Sequence, residues 1–273
     1  MLECVRLDAD DAAIALSPVM AETLVAARAR PGGCAHVPTL ALVRRQRPYA
    51  LLGPRDLRLP RLGEGVAFLE RRGLPVYRRV GGGSLVVLDE DCLSFALAWP
   101  CANPGHAGAA VRLLAEPIIA CLAALGAKAH LGAAAGSYCE GPSDVVLDDG
   151  RKVAGMSLAL RGGWALLSGM LLVRQDPAYA TGIVAGFEAA SGGARQYLSA
   201  AVTRLDAALG RPLDPEATAE ALLRAMAAWA GADAAGFRTR APSGREREVA
   251  RALLPERRLR SATLDAQATA GRR

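Results

Sequence analysis

Short apolar runs closed by Gly and Pro fill the first two-thirds of the chain, and longer Ala/Leu-rich runs with acidic starts fill the last third. The first pattern predicts strands and the second helices. Strands are expected at Thr39–Arg44, Pro48–Gly53, Pro75–Val80, Ser84–Leu88, Cys92–Trp99 and Val145–Leu147. Lys152–Leu160 and Trp164–Val173 should pair as a hairpin around Arg161-Gly162-Gly163. The triplet Gly81-Gly82-Gly83 reads as a turn between two strands. Helices are expected within Asp10–Arg28, where Pro18 should break the run, over Glu64–Arg72, and over Ala109–Leu125 with a kink at Pro117. Everything after Gln175 reads as helical: Pro177–Ala190, Ala194–Leu209 and Asp214–Ala230, the last opened by Asp214-Pro215-Glu216. Strands first and helices last predict an α+β class, and no internal repeat is visible.

Composition narrows the function. With 273 residues, 52% apolar and 22% charged, the chain has enough material for a core and is not disordered. Its longest apolar run, Ala109–Leu125, is interrupted by Arg112, Glu116 and Pro117, too soon to span a bilayer. The N-terminus lacks the basic-then-apolar order of a signal peptide, so a soluble, cytoplasmic protein is expected. Six cysteines (4, 34, 92, 101, 121, 139) form no C-x-x-C pair, which argues against a disulfide framework or a zinc site. The formal charge of +6 resides in the stretch from Arg238 onward, leaving a neutral body. That basic stretch suits an acidic partner or is simply solvated. An aromatic content of 4% offers little to stack nucleic-acid bases.

Common catalytic signatures are absent: there is no P-loop, G-x-S-x-G elbow or H-E-x-x-H, and the histidines at 36, 106 and 130 are scattered. Three segments remain. Arg78-Arg79-Val80-Gly81-Gly82-Gly83 is either a tight turn with solvated arginines or a place where backbone N–H groups and a guanidinium meet a ligand. Cys139 lies in the loop Gly136–Asp144, whereas Cys92 and Cys121 lie in apolar runs. A loop cysteine can reach a substrate, and a buried one is usually inert filling. Lys152, one of only two lysines, follows the turn at Gly150. It is either a solvated strand-entry charge or an ammonium able to keep a thiol ionised and to hold a carbonyl oxygen. His130 is a weaker candidate for a base.

These segments carry a resemblance. Leu51–Pro60, Glu64–Leu69 with Gly73, Arg79–Asp89 and Ser143–Gly155 occur in the order and spacing of the lipoate-protein ligase superfamily, over about residues 38 to 175. Ser137-Tyr138-Cys139-Glu140-Gly141, ahead of Asp144 and Lys152, is most similar to the branch that moves octanoyl groups from the glycine-cleavage H-protein to other proteins. Leu88 and Leu167-Ser168-Gly169-Met170 stand where the ligases carry histidines, and Val80-Gly81 where the transferase branch prefers Asn-Ser.

The resemblance implies a biotin/lipoyl ligase-like (class II synthetase-like) fold. In it a central mixed β-sheet is flanked by helices, with a helical C-terminal third. The expected division of the chain is an acyltransferase/ligase-like catalytic domain, 1–240, and a basic C-terminal helical extension or tail, 241–273. The resemblance also implies octanoyl transfer, from an octanoyl H-protein or acyl carrier protein to the lysine of lipoyl domains of 2-oxoacid dehydrogenases. Cys139 would carry the acyl group as a thioester. Lys152 would favour its thiolate and steady the oxyanion. Arg79, Gly82, Gly83, Leu85, Val87, Asp144 and Gly155 would form the acyl site, with Leu85 and Val87 lining a tunnel and Asp144 closing the loop. No metal or cofactor is implied, and neither membrane nor nucleic acid as partner. ATP and magnesium enter only under the alternative of a lipoate-protein ligase. A third possibility is a non-catalytic protein that binds an acyl group or a carrier domain.

Overall fold

A computed structural model describes residues 2–7, 15–27, 38–43, 47–101, 107–161, 163–231 and 237–270. Cys34, His36 and His106 lie outside the described residues, as do Asp10 and Asp11 at the start of the first expected helix. Eight strands form one mixed sheet in the order β11-β1-β2-β6-β10-β9-β8-β7. They are β1 (Leu2–Arg6), β2 (Thr39–Val43), β6 (Cys92–Pro100), β7 (Ala129–Gly132), β8 (Asp144–Leu147), β9 (Lys152–Arg161), β10 (Trp164–Leu172) and β11 (Phe237–Arg240). A smaller sheet joins β3 (Tyr49–Leu52), β4 (Val76–Arg78), β5 (Val86–Leu88) and β12 (Arg258–Leu259) in the order β12-β4-β3-β5.

The centre of the large sheet is the expected hairpin of β9 and β10, with β10 paired along its whole length to β6. One face of that sheet is covered by α3 (Ala107–Leu125) and α6 (Pro215–Trp229), which pack on each other over Leu93, Leu97, Leu122, Leu167 and Leu222. α3 runs through Pro117 without interruption. α6 opens as its sequence predicts, with the Asp214 carboxylate accepting from the Glu216 N–H and Pro215 in the first turn. The other face is covered by α1 (Ser17–Ala26), whose Val19, Met20 and Leu24 meet Ala41, Ala96 and Ala98. The small sheet has its own core with α2 (Leu62–Glu70) and α4 (Pro177–Ala190), built on Val66, Leu69, Leu85, Val87 and Phe187. No helix among the described residues is long and apolar enough to cross a membrane.

Four expectations change. Pro18 opens α1 instead of breaking it, because a proline in the first turn lacks only an N–H that would have no intrahelical partner. β4 and β5 do not form a hairpin. β3 lies between them, parallel to β4 and antiparallel to β5, so the glycine turn crosses the end of β3. Residues 194–203 are not helical, apart from a single 3-10 turn at Ser199–Ala201, and the helix expected to end at Leu209 shrinks to α5 (Leu205–Ala208). This strap is pinned instead by Leu198 N–H to the Gly136 carbonyl (2.8 Å) and Thr203 N–H to the Lys152 carbonyl (2.8 Å).

The region after Gln175 also contains strands. β11 lies parallel to β1, and β12 pairs with β4. Between them α7 (Gly244–Arg257) packs on α1, and α8 (Ser261–Ala270) follows against α2. Part of the basic C-terminal charge is therefore spent within the fold. Arg240 bonds Glu3 and Glu246, and Arg257 grips both oxygens of Glu22 at 2.8 Å. Burial pushes the Glu246 carboxyl up, but hydrogen bonds from Arg240 and Ser243 outweigh it and bring it down to about 2.

Candidate active site

Cys139 lies on the loop between β7 and β8, and its φ of 50° is the only positive value at a non-glycine among the described residues. The loop is closed on itself by Gly136 N–H to the Glu140 carboxylate (3.0 Å) and Gly141 N–H to Asp144 Oδ2 (3.1 Å). This geometry turns the partly buried sulfur toward the glycine turn, where it accepts from Ser84 N–H at 3.2 Å and Arg79 Nη2 at 3.5 Å. Gly83, at φ 94°, makes the approach possible: a Cβ there would sit 2.6 Å from Sγ. Arg79 also donates to the carbonyls of Leu51, Gly82 and Ser84, so one guanidinium shapes the turn and contacts the sulfur. Beneath it, Gly53 packs against the Gly83 carbonyl, and the buried Asp56 carboxylate accepts the Gly53 N–H at 2.8 Å.

Lys152, the first residue of β9, is 2% exposed. Its Nζ donates to Asp144 Oδ1 (2.9 Å), the Tyr138 carbonyl (3.0 Å) and the Cys139 carbonyl (3.2 Å), which commits all three ammonium protons. Through that last bond, standard bond lengths place Nζ no more than about 8 Å from the sulfur. Lys152 thus holds the backbone of Tyr138 and Cys139, while Ser84 N–H and Arg79 hold the Cys139 sulfur. Burial pushes Asp144 above the usual carboxylate range, against the pull of Lys152. Gly155, opposite Asp144 in the β8–β9 ladder, leaves room for the pair, since a Cβ there would lie 3.1 Å from Lys152 Cε.

These groups border a cavity of about 100 Å³. Its walls are α1 (Met20, Ala21), the small sheet (Tyr49, Leu51, Val86, Leu88) and the large sheet (Ser157, Ser168, Met170, Leu172). Arg79, Cys139, Asp144, Lys152 and Gly155 all line it. Leu85 and Val87 do not: both are fully buried in the small-sheet core, and the alternation of β5 gives the cavity Val86 and Leu88. Gly82 faces open space and contributes its carbonyl to Arg79. His130 is exposed on β7 and takes no part. The α1 wall carries no motif, so nothing in the sequence pointed to it.

The remaining described cysteines are thiols outside any disulfide, and none of them lines the cavity. Burial pushes Cys121 up to about 12 and Cys92 well above its ordinary value. Among the described residues no group of His, Cys, Asp and Glu is arranged to hold a metal ion.

Residues 19–227 match the family model of the lipoyl protein ligase A/B catalytic domain. The chain belongs to this family. Among similar proteins, an octanoyl-(GcvH):protein N-octanoyltransferase of Geobacillus kaustophilus is 36% identical over 118 residues, 42% of this chain and 41% of that one. One from Kyrpidia tusciae is 34% identical over 143 residues, 49% of each chain. The chain thus spans about half the length, or less, of these two relatives. A bipartite lipoate protein ligase from Thermoplasma acidophilum, studied with its E2 lipoyl domain, superimposes with a TM-score of 0.67 at 19% identity, covering 92% of this chain and 90% of that one. At that identity the likeness establishes the lipoyl ligase fold, with mixed sheets and flanking helices as expected.

Proposed function

We propose that this protein transfers octanoyl groups between carrier proteins through a thioester on Cys139. The observation that carries the reading is the Cys139 sulfur, held by Ser84 N–H and Arg79 at the wall of a largely apolar cavity, with Lys152 of the Lys152–Asp144 pair bonded to its backbone. The names of the Geobacillus and Kyrpidia relatives support the same chemistry.

The Cys139 thiolate attacks the carbonyl carbon of an octanoyl amide on an H-protein, or of an octanoyl thioester on an acyl carrier protein. A carbon–sulfur bond forms, the carbonyl's bond to the carrier's nitrogen or sulfur breaks, and the carrier's amine or thiol leaves with the proton that the Cys139 thiol gave up. Arg79 and the Ser84 N–H stabilise negative charge on the sulfur before attack and again when it departs. The lysine amine of a lipoyl domain then attacks the thioester, expels the thiolate and yields an amide. The proton shed by that amine passes toward the Lys152–Asp144 pair and ends on the departing sulfur, which restores the thiol. The acyl chain lies along Leu88, Met170 and Leu172, each buried methylene contributing up to about 0.8 kcal/mol. No ATP, metal or cofactor enters this sequence of steps, and the protein works in the cytoplasm with its carriers.

The test is incubation with an octanoylated H-protein and a lipoyl domain in the absence of ATP. Octanoyl transfer that disappears in Cys139→Ala supports the proposal. Transfer that requires ATP and survives Cys139→Ala would instead make the protein a lipoate ligase. Ligand in the cavity with no acyl adduct on Cys139 by intact mass would make it a binding protein.

A further inference from the structure

Two of the cavity's three walls, α1 and the small sheet, are joined by consecutive residues where α7 ends and β12 begins. Arg257, the last residue of α7, donates to both carboxylate oxygens of Glu22 on α1 at 2.8 Å, and Glu22 lines the cavity. The pair is shielded from water, its side chains 14% and 9% exposed, so it holds a geometry that a solvated surface pair would not. Arg258, the first residue of β12, stacks on the Tyr77 ring of β4 with its guanidinium carbon 5.0 Å from the centroid. Tyr77 in turn meets the Tyr49 ring edge to face, centroids 6.0 Å apart, and Tyr49 lines the cavity.

The strand register gives the second contact its meaning. Val86, Leu51, Tyr77 and Arg258 stand side by side across β5, β3, β4 and β12, and residues paired in this way share one face of the sheet. Val86 and Leu51 are cavity wall, so the row runs from the cavity to Arg258 without changing face. In the next row, Arg78 donates to the Glu256 carbonyl at 3.4 Å. The junction of α7 and β12 is thereby bonded to α1 on one side and to the small sheet on the other. Neither arginine lines the cavity, and both lie beyond the residues 19–227 that match the family model. What their contacts govern is where the two walls stand relative to each other.

We propose that Arg257 and Arg258 are positioning residues that determine specificity: by tying α1 and the small sheet to one stretch of backbone, they fix the gap between those walls and so the length of acyl chain the cavity accepts. This inference rests on the acyl-transfer reading, which makes the occupant a fatty acyl chain. It adds that the basic C-terminal segment sets which chain is taken. A wall held by two side chains resists the displacement that a longer chain demands, and a close-packed interior makes each extra methylene felt. A two-carbon group makes no such demand.

The experiment measures the rate of Cys139 modification, by intact mass and peptide mapping, in the wild-type chain, Arg257→Gln, Arg257→Lys and Arg258→Gln. Two reagent series are used, each with members of about two, eight and twelve carbons. One is acyl N-acetylcysteamine thioesters, and the other is alkyl methanethiosulfonates, which modify any thiol they reach. The wild-type chain should react with the eight-carbon member at least about tenfold faster than with the twelve-carbon one in both series. Arg257→Gln and Arg258→Gln should each bring that ratio down to about threefold or less, with the two-carbon rate within about twofold of wild type. Arg257→Lys, which keeps a charge for Glu22, should fall between. An unchanged ratio in either folded glutamine variant overturns the inference, and so does a wild-type chain that does not discriminate. A loss of reaction equal at all three lengths, the mark of a merely loosened fold, also overturns it. Where Arg257→Gln does not fold, Arg258→Gln and Arg257→Lys decide. If the thioesters leave Cys139 unmodified while the thiosulfonates discriminate, the transfer reading fails, and the thiosulfonate ratios still decide the role of the two arginines.

Discussion

The sulfur of Cys139 occupies the space that a side chain on Gly83 would fill. A methyl group at Gly83 would lie 2.6 Å from Sγ and 2.8 Å from Arg79 Nη2, at a backbone φ of 94° that side chains rarely adopt. Gly83→Ala should therefore lower acyl transfer at least a hundredfold by displacing the sulfur from its donors. Gly82→Ala, with open space around it, should stay within about threefold of wild type. Steady-state transfer assays on the two neighbours separate a local displacement from general loosening of the turn.

Arg79 is the cation that touches the sulfur, so its replacement should change the thiol more than the fold. Arg79→Lys keeps a positive charge but cannot reach the carbonyls of Leu51, Gly82 and Ser84 together from one planar fork. The rate of Cys139 alkylation by iodoacetamide should fall about tenfold or more in Arg79→Lys at neutral pH. Alkylation at an unchanged rate would mean that the Ser84 N–H alone activates the sulfur.

Lys152 and Asp144 form a buried pair, each side chain 3% exposed. Lys152→Met should cost about 3–5 kcal/mol in urea unfolding, because it strands a carboxylate away from water. Adding Asp144→Leu to the same chain should recover most of that loss and none of the transfer activity. Such a split between stability and activity would show that the pair serves transfer apart from its part in the fold.

Burial pushes Asp56 up to about 6, although the Gly53 N–H and Arg79 pull it down. A carboxyl raised in the folded state binds its proton more tightly there than in the unfolded chain, so its burial weighs against folding at neutral pH. That penalty is relieved as pH falls through 6 and is gone below about 4. Asp56→Asn retains an acceptor for Gly53 and does not titrate. Its melting temperature should exceed that of wild type at pH 7.5 and converge with it near pH 4. Equal differences at both pH values would show that the carboxyl does not titrate in this range.

The segments that meet at the candidate site were legible in the sequence as short loops and turns: the glycine triplet, the cysteine loop and the turn before Lys152. Residue type alone left each open to a structural reading, and their shared order and spacing singled them out. The walls were less legible. In β5 the period-two pattern placed alternate residues on opposite faces but did not say which face met the cavity, so Leu85 and Val87 were expected where Val86 and Leu88 stand. Residues 194–209 carry a helical composition, yet residues 194–198 and 202–204 are not helical, and backbone bonds to Gly136 and Lys152 hold them, contacts between segments far apart in sequence. The strands β11 and β12 are short and arginine-rich, and they form because partner edges await them on β1 and β4.

The pairing of β1 with β11 has a consequence for how the molecule is made. The edge strand of the large sheet, β11, lies more than two hundred positions after its neighbour β1 in the chain. At a synthesis rate on the order of 5–20 residues per second, β1 has its β2 partner early but waits ten seconds or more for β11. During that interval its outer hydrogen-bonding edge is open to other chains, a window in which a growing polypeptide is vulnerable to aggregation.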